Sequence, residues 1–325
     1  MSTITKAAFT GSTLSLRFAA GTASARAGWP VVQHQHWGFC ERTIVVLTAV
    51  LAALGIAPTA NAARPTSLVV LGDSYASGTG AGAYQDGTAG NCWRSNNSYG
   101  EQVAARLRAQ GRLASFTNVS CSGAATADLS RPFKDRPAQL DALRKDTSLV
   151  LLSIGTNDID YAAYGGTCIQ ADCTGAPTEA ILARLPQMGR NVTALLGEIS
   201  KRSPYARIVL VGYGRQVSTS DNPPGATLDP VCGDGILTTA ERREGNKVAD
   251  ALDATLRSAV RSSYPRAIFT SPFDRPETFA GHALCEAGTP FLRGFDALAP
   301  GQEGPEAVFH PNQQGQAALA TLVRV

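Results

Sequence analysis

Charge is scarce in this sequence. Asp, Glu, Lys and Arg supply 17% of the 325 residues, 29 basic against 26 acidic, with no lysine and arginine block and no basic patch interleaved with aromatics. A nucleic-acid surface is therefore not expected. No C-x-x-C pair occurs, and histidine numbers only four, so the ligand spacing of a zinc site is missing. No apolar run reaches the roughly 20 residues of a membrane-spanning helix. The strongest one, TIVVLTAVLAALGIAP, is interrupted by Gly55 and ends at Pro58. Internal repeats and linkers are lacking too. What remains is 44% hydrophobic with 32 Gly and 18 Pro, the composition of a globular domain and not of a disordered, collagen-like or coiled-coil chain.

Glu41 and Arg42 stand before the apolar run and Ala60-Asn61-Ala62 after it, the order of a secretory n-region, h-region and A-x-A cleavage site. Residues 1–62 are thus expected to be an N-terminal extension with a signal peptide cleaved after Ala62, and residues 63–325 a single extracellular domain. The mature chain is then formally neutral and keeps two histidines, His282 and His310, and six cysteines, Cys92, Cys121, Cys168, Cys173, Cys232 and Cys285. In an oxidising compartment six cysteines imply three disulfides, with 15 connectivities open. Sequential pairing needs the fewest chain crossings. Closing the longest loop would contribute roughly 3 to 4 kcal/mol on the chain-entropy estimate.

Short apolar, β-branched runs recur at Ser67–Leu71, Ser148–Ile154, Arg207–Val211 and Ala267–Thr270, with a weaker one at Phe116–Val119. They are continuous and not alternating, as strands buried on both faces of a parallel sheet are. Between and after them lie segments of helical period: Tyr99–Ala109, Thr178–Arg202, Glu241–Ser262 and Pro311–Leu322. The alternation predicts an α/β domain with a covered parallel sheet, whose functional residues lie beyond the carboxyl ends of the strands. Gly/Pro-rich stretches at about 214–235 and 272–304 read as loops pinned by Cys232.

The first strand runs into Gly72-Asp73-Ser74-Tyr75, which sets the Ser74 hydroxyl at the sheet edge, where a nucleophile belongs. The G-x-S-x-G elbow is not met, because Ala76 replaces its second glycine. The glycines of Ser77–Gly82, SGTGAG, have the spacing G-x-G-x-G, not that of a dinucleotide loop. A serine nucleophile needs a base. His310, before Pro311 and the last helix, suits that task, whereas His282 beside Cys285 suits a structural one. An ester oxyanion needs donors; Gly123 in Cys121-Ser122-Gly123-Ala124 and Asn157 in Gly155-Thr156-Asn157-Asp158 occupy strand-end positions and join the Ser74 N–H.

GDSY at Gly72–Tyr75, Gly123, GTND at Gly155–Asp158 and HP at His310 together resemble the four blocks of the SGNH (GDSL) hydrolase family, in order, over about Ser67 to Gly315. Within it the chain is similar to secreted, three-disulfide actinobacterial lipases and esterases. The resemblance implies a flavodoxin-like three-layer α/β/α fold, Ser74 as nucleophile, His310 as base, and the Ser74 N–H, Gly123 N–H and Asn157 side chain as oxyanion hole. One position departs from it. The family's D-x-x-H would need aspartate at 307, which is Ala307, with Glu306 one residue further back. A neutral imidazole needs an acceptor at Nδ1. As in such relatives, the backbone carbonyl of Val308 or a neighbour is expected to serve, ahead of the Glu306 carboxylate.

The expected reaction is hydrolysis of a small-molecule or lipid ester through an acyl-enzyme, without cofactor or metal, by a monomer with no stable membrane span. With an ordinary imidazole pKa of about 6.5 the rate would fall in mild acid. Phe273, Phe279, Phe291 and Phe295, with Tyr75 and Tyr213, are expected to line an acyl groove. Two other readings stay open: a carbohydrate acetylesterase, and a catalytically silent envelope-binding protein on the same scaffold.

Overall fold

The computed structural model describes residues 64–233 and 235–325; the expected signal peptide and its cleavage point lie outside them. The elements are β1 (Thr66–Gly72), α1 (Ser74–Ser77), α2 (Tyr99–Ala109), β2 (Leu113–Asn118), β3 (Leu149–Ser153), α3 (Tyr161–Gln170), α4 (Ala176–Leu182), α5 (Leu185–Arg202), β4 (Arg207–Val211), α6 (Thr239–Arg261), β5 (Ala267–Thr270), α7 (Pro276–Phe279) and α8 (Gln313–Leu322). The strands form one sheet in the order β2-β1-β3-β4-β5, and every pairing is parallel. Helices cover both faces of the sheet, α2 packing on α8, and α5 and β5 on α6, so the fold is the expected three-layer α/β/α sandwich.

Leu68–Leu71, Leu149–Leu152 and Ile208–Val211 are buried throughout, because β1, β3 and β4 lie inside the sheet with helices on both sides. Each such side chain contributes about 1.5–3 kcal/mol by leaving water. The edge strands β2 and β5 are partly exposed, which explains the weak apolar signal of Phe116–Val119. The helix expected over Thr178–Arg202 is two helices, broken at Ala183 and Arg184. Pro186 stands in the first turn of α5; it lacks an N–H and cannot continue the helix before it. Helix α3 was not legible, since Gly165 and Gly166 interrupt YAAYGGTCIQ. At α6 Thr238 and Glu241 form a reciprocal capping box, which fixes its start.

The strand order reverses direction at β1, whose neighbours β2 and β3 follow it on opposite sides. That switch point opens a crevice at the carboxyl ends of β1 and β3. Bridges Cys92–Cys121, Cys168–Cys173 and Cys232–Cys285 close the loops around the sheet. Among the described residues no helix is long and apolar enough to cross a membrane.

Candidate active site

Gly72 ends β1 with φ +125°, and a Cβ there would stand 2.1 Å from the Ser153 carbonyl oxygen; only glycine fits. The Gln139 side chain grips it twice, donating to its carbonyl at 2.9 Å and accepting from its N–H at 2.7 Å. The chain then turns into α1, a single helical turn capped by Asp73, whose Oδ1 accepts from Tyr75 N–H at 3.0 Å. Ser74 is the first residue of that turn, so its N–H is one of the helix's unpaired donors. Gly78, at φ +88°, ends the turn by donating to the Ser74 carbonyl. A Cβ on Gly80 would lie 3.2 Å from His310 Cβ, so the SGTGAG glycines serve a sharp turn and a close approach, not a phosphate.

His310 arrives on the loop before α8. Its Nε2 lies 2.7 Å from Ser74 Oγ, and its Nδ1 lies 3.2 Å from the Val308 carbonyl oxygen. A carbonyl only accepts, so Nδ1 carries the proton and Nε2 faces the serine as acceptor. Phe309, just before it, has φ +63°, a left-handed conformation costing a β-carbon residue about 1 kcal/mol or more. Backbone hydrogen bonds hold it there, from Phe309 N–H to the Arg293 carbonyl and from Arg293 N–H to the His310 carbonyl, both 2.8 Å. The Tyr75 hydroxyl donates to the Phe309 carbonyl at 3.1 Å. Glu306 points elsewhere, accepting from Trp93 Nε1 at 2.5 Å. Burial pushes the His310 imidazole down to about 4, against the opposing effect of the Val308 carbonyl. The expected ordinary value of about 6.5 is thereby corrected: taking the ring out of water penalises its cation.

Gly123, at φ +85°, follows β2 in a tight turn. Among the described residues neither its N–H nor that of Ser74 donates to a protein acceptor. Asn157 follows β3, and its Nδ2 donates to the Ala124 carbonyl at 2.9 Å, fastening the β3 end to the residue after Gly123. Asp158 reinforces this tie by accepting from Thr126 N–H at 2.9 Å, from the Thr126 hydroxyl and from Asn191 Nδ2.

Sequence reasoning missed Asp73 as well as Asp158. The Asp73 carboxyl is fully buried and accepts from the Tyr213 and Thr156 hydroxyls. Burial raises it from the usual 3.8 to about 7, only partly offset by those bonds. The folded state therefore holds a proton that the unfolded chain has shed. This contribution to stability is complete below about pH 4 and is lost as pH rises through 7. Asp73→Asn is expected to remove that alkaline decline, seen as a flatter dependence of denaturation midpoint on pH between 4 and 8. The cue in the sequence was aspartate immediately before a helical turn, an N-cap position.

The aromatic groove needs correction. Phe273, Phe279, Phe291 and Tyr213 do line a cavity of about 340 Å³, together with Leu292 and Leu319. Neither Ser74 nor His310 is on its wall. Tyr75 lies against Tyr213 and beneath His310, with ring centroids 4.7 and 5.5 Å away respectively, while Phe295 is fixed elsewhere by its N–H bond to Asp229. Three of the four phenylalanines thus share one cavity, and it does not reach the serine. His282 stacks on Phe291 at 4.0 Å and bonds the Thr289 carbonyl at 2.7 Å, a structural setting far along the chain from the serine.

A model of the GDSL-like lipase/acylhydrolase family matches residues 70–318. The chain is 32% identical over 277 residues to a lipase of Streptomyces rimosus, covering 84% of this chain and 91% of that protein. It is 30% identical over 285 residues to Lipase 1 of Streptomyces coelicolor, covering 86% and 93%. Among solved structures, the extracellular lipase of Streptomyces rimosus superposes with a TM-score of 0.60 at 29% identity, over 79% of this chain and all of that one. Phospholipase A1 of Streptomyces albidoflavus gives 0.60 at 26% identity, over 80% and 100%. The fold is the three-layer α/β/α fold of these lipases, and the chain is a carboxylic ester hydrolase. More narrowly, the chain belongs to the GDSL-like lipase/acylhydrolase family.

Proposed function

We propose that the protein hydrolyses esters by acyl transfer from Ser74 to water, with His310 as general base. The observation that carries this reading is the 2.7 Å contact between Ser74 Oγ and His310 Nε2, with Nδ1 held by the Val308 carbonyl. His310 takes the hydroxyl proton as the oxygen attacks the ester carbonyl. The Ser74 N–H, the Gly123 N–H and the second N–H of the Asn157 amide receive the negative charge that develops on the carbonyl oxygen. The imidazolium then protonates the leaving alcohol, and a water activated by the same nitrogen releases the acid. The orienting group is a carbonyl, so the working unit is a dyad.

A fluorophosphonate probe tests the reading directly: it is expected to label the native protein once, at Ser74. Failure to label a folded, unmodified sample would overturn it, and would favour the silent binding-protein reading instead.

The base must be neutral to act, and burial holds its pKa near 4. The acid limb of kcat/KM is accordingly expected near pH 4, about two units below an ordinary histidine, with activity nearly undiminished at pH 6. A limb centred at 6.5 in a pH-stat assay would contradict the lowered pKa of this half-buried imidazole. The stability sign is the opposite of that for Asp73: the unfolded histidine binds a proton that the folded one refuses, so this contribution is lost as pH falls from 6.5 towards 4.

The substrate class is an acyl ester of a lipid or a small alcohol, as the names of the Streptomyces lipases and phospholipase suggest. Rates on nitrophenyl esters from acetate to palmitate distinguish the two classes, and a marked preference for acetyl sugars would favour the acetylesterase reading. We place the protein outside the cell as a monomer, after cleavage behind Ala62. The three bridges support this location, since disulfides persist in oxidising compartments.

A further inference from the structure

Beside the Gly123 turn stands a cation without a counter-ion. Phe133 and Arg136 exchange backbone hydrogen bonds at 3.0 Å, closing a two-residue turn in which Lys134 and Asp135 both adopt left-handed φ, 48° and 57°. Asn91 locks the turn from behind: its Nδ2 donates to the Lys134 carbonyl at 3.3 Å, and the Lys134 ammonium donates to the Asn91 carbonyl at 3.1 Å. The neighbouring Cys92 is bridged to Cys121, two residues before Gly123. The result brings Lys134 Nζ to 3.5 Å, and Phe133 Cζ to 3.9 Å, from where a Cβ on Gly123 would stand. The ammonium thus stands beside the Gly123 backbone.

Two more cations belong to the same segments, Arg136 at the end of the turn and Arg94 two residues after Cys92. The Arg136 guanidinium donates to the Gly87 carbonyl and leaves its buried Nε without a partner among the described residues. Arg94 Nε donates to the Ser120 carbonyl at 3.0 Å, and the nearby Arg136 charge, after burial, disfavours its cation. Among the described residues none of the three forms an ion pair. Asp135, exposed at the tip of the turn, bonds none of them. The Arg136 and Arg94 charges, with no carboxylate paired to either among the described residues, repel each other, and an arriving anion relieves that repulsion.

We propose that Lys134, backed by Arg136 and Arg94, is a subsite for an anionic group of the substrate. The protein then prefers acyl esters that carry a phosphate or carboxylate a few atoms from the scissile carbonyl over neutral esters of equal length. This rests on the Ser74 reading, because Gly123 is an oxyanion donor in that reading and Lys134 stands beside it. The mature chain is formally neutral, so the attraction is local to this turn and not a property of the whole surface.

Two matched pairs of substrates test it. 4-Nitrophenyl hydrogen succinate against 4-nitrophenyl butyrate sets a carboxylate on the acyl side. Octanoyl lysophosphatidic acid against monooctanoylglycerol sets a phosphate on the alcohol side. In Lys134→Gln the anionic-to-neutral ratio of kcat/KM is expected to fall about fivefold for at least one pair, the size of one solvent-exposed ion pair, and the pair affected tells which side of the ester meets the turn. Lys134→Arg is expected to keep the wild-type ratio, and salt to erode it in the wild type but not in Lys134→Gln. Ratios in Lys134→Gln indistinguishable from wild type for both pairs, below the smallest effect of an exposed ion pair, would overturn the subsite. Absence of wild-type turnover on both neutral esters, with no fluorophosphonate labelling, would instead remove the Ser74 reading and the subsite with it.

Discussion

Ser74→Ala is expected to lose on the order of 10⁴- to 10⁶-fold in kcat/KM while its thermal midpoint stays near that of the wild type. The loss is large because the variant has no oxygen to form the acyl-enzyme, and the donors left behind stabilise only the slow attack of water. The fold should tolerate it. Among the described residues the Ser74 hydroxyl hydrogen-bonds only His310, whereas the cap, the turn and the strand end are held by Asp73, Gly78 and Gln139. Stopped-time assays on a short nitrophenyl ester, with a melting curve on the same preparation, give both numbers. Turnover within tenfold of wild type would mean that another group attacks the ester.

Asn157→Ala is expected to reduce kcat by about 10²- to 10³-fold, the usual loss for one oxyanion donor, with a smaller change in KM. The donor acts on charge that appears only in the transition state, so the effect belongs in kcat. The same amide ties β3 to Ala124, and alanine also removes that tie. Asp158, with its bonds to Thr126, still holds the two loops together. Asn157→Asp separates the two roles: it keeps the size and cannot donate when ionised. If Asn157→Ala left kcat unchanged, the charge would be stabilised by the two backbone N–H groups alone.

The central strands were readable because each lies between two helical layers and must be apolar along its whole length, as SLVVL and RIVLV are. The edge strand β2 was faint for the converse reason, half its residues facing water. The pairing of Ser74 with His310 was readable because four short blocks carry it. The scaffold behind them was not. Gln139 meets Gly72 across 67 residues, Gln316 meets Tyr75 across 241, and Asp158 meets Thr126 across 32; such contacts leave no periodic or local mark. The aromatic groove was only partly legible on the same account, since nearness along a Gly/Pro-rich loop did not decide which way Phe295 would face or whether the cavity would reach Ser74.

Apart from the Asp73 cap, the side chains that brace the serine turn are amides. Gln139 holds Gly72, Gln316 joins the Tyr75 carbonyl to the Tyr99 N–H, and Gln216 links the hydroxyls of Tyr75 and Tyr161. An amide neither gains nor loses a proton across the range in which proteins survive. The amide part of the serine's cradle therefore keeps one set of bonds from vinegar to soap, and acidity acts there through the His310 imidazole and the Asp73 carboxyl that caps the turn.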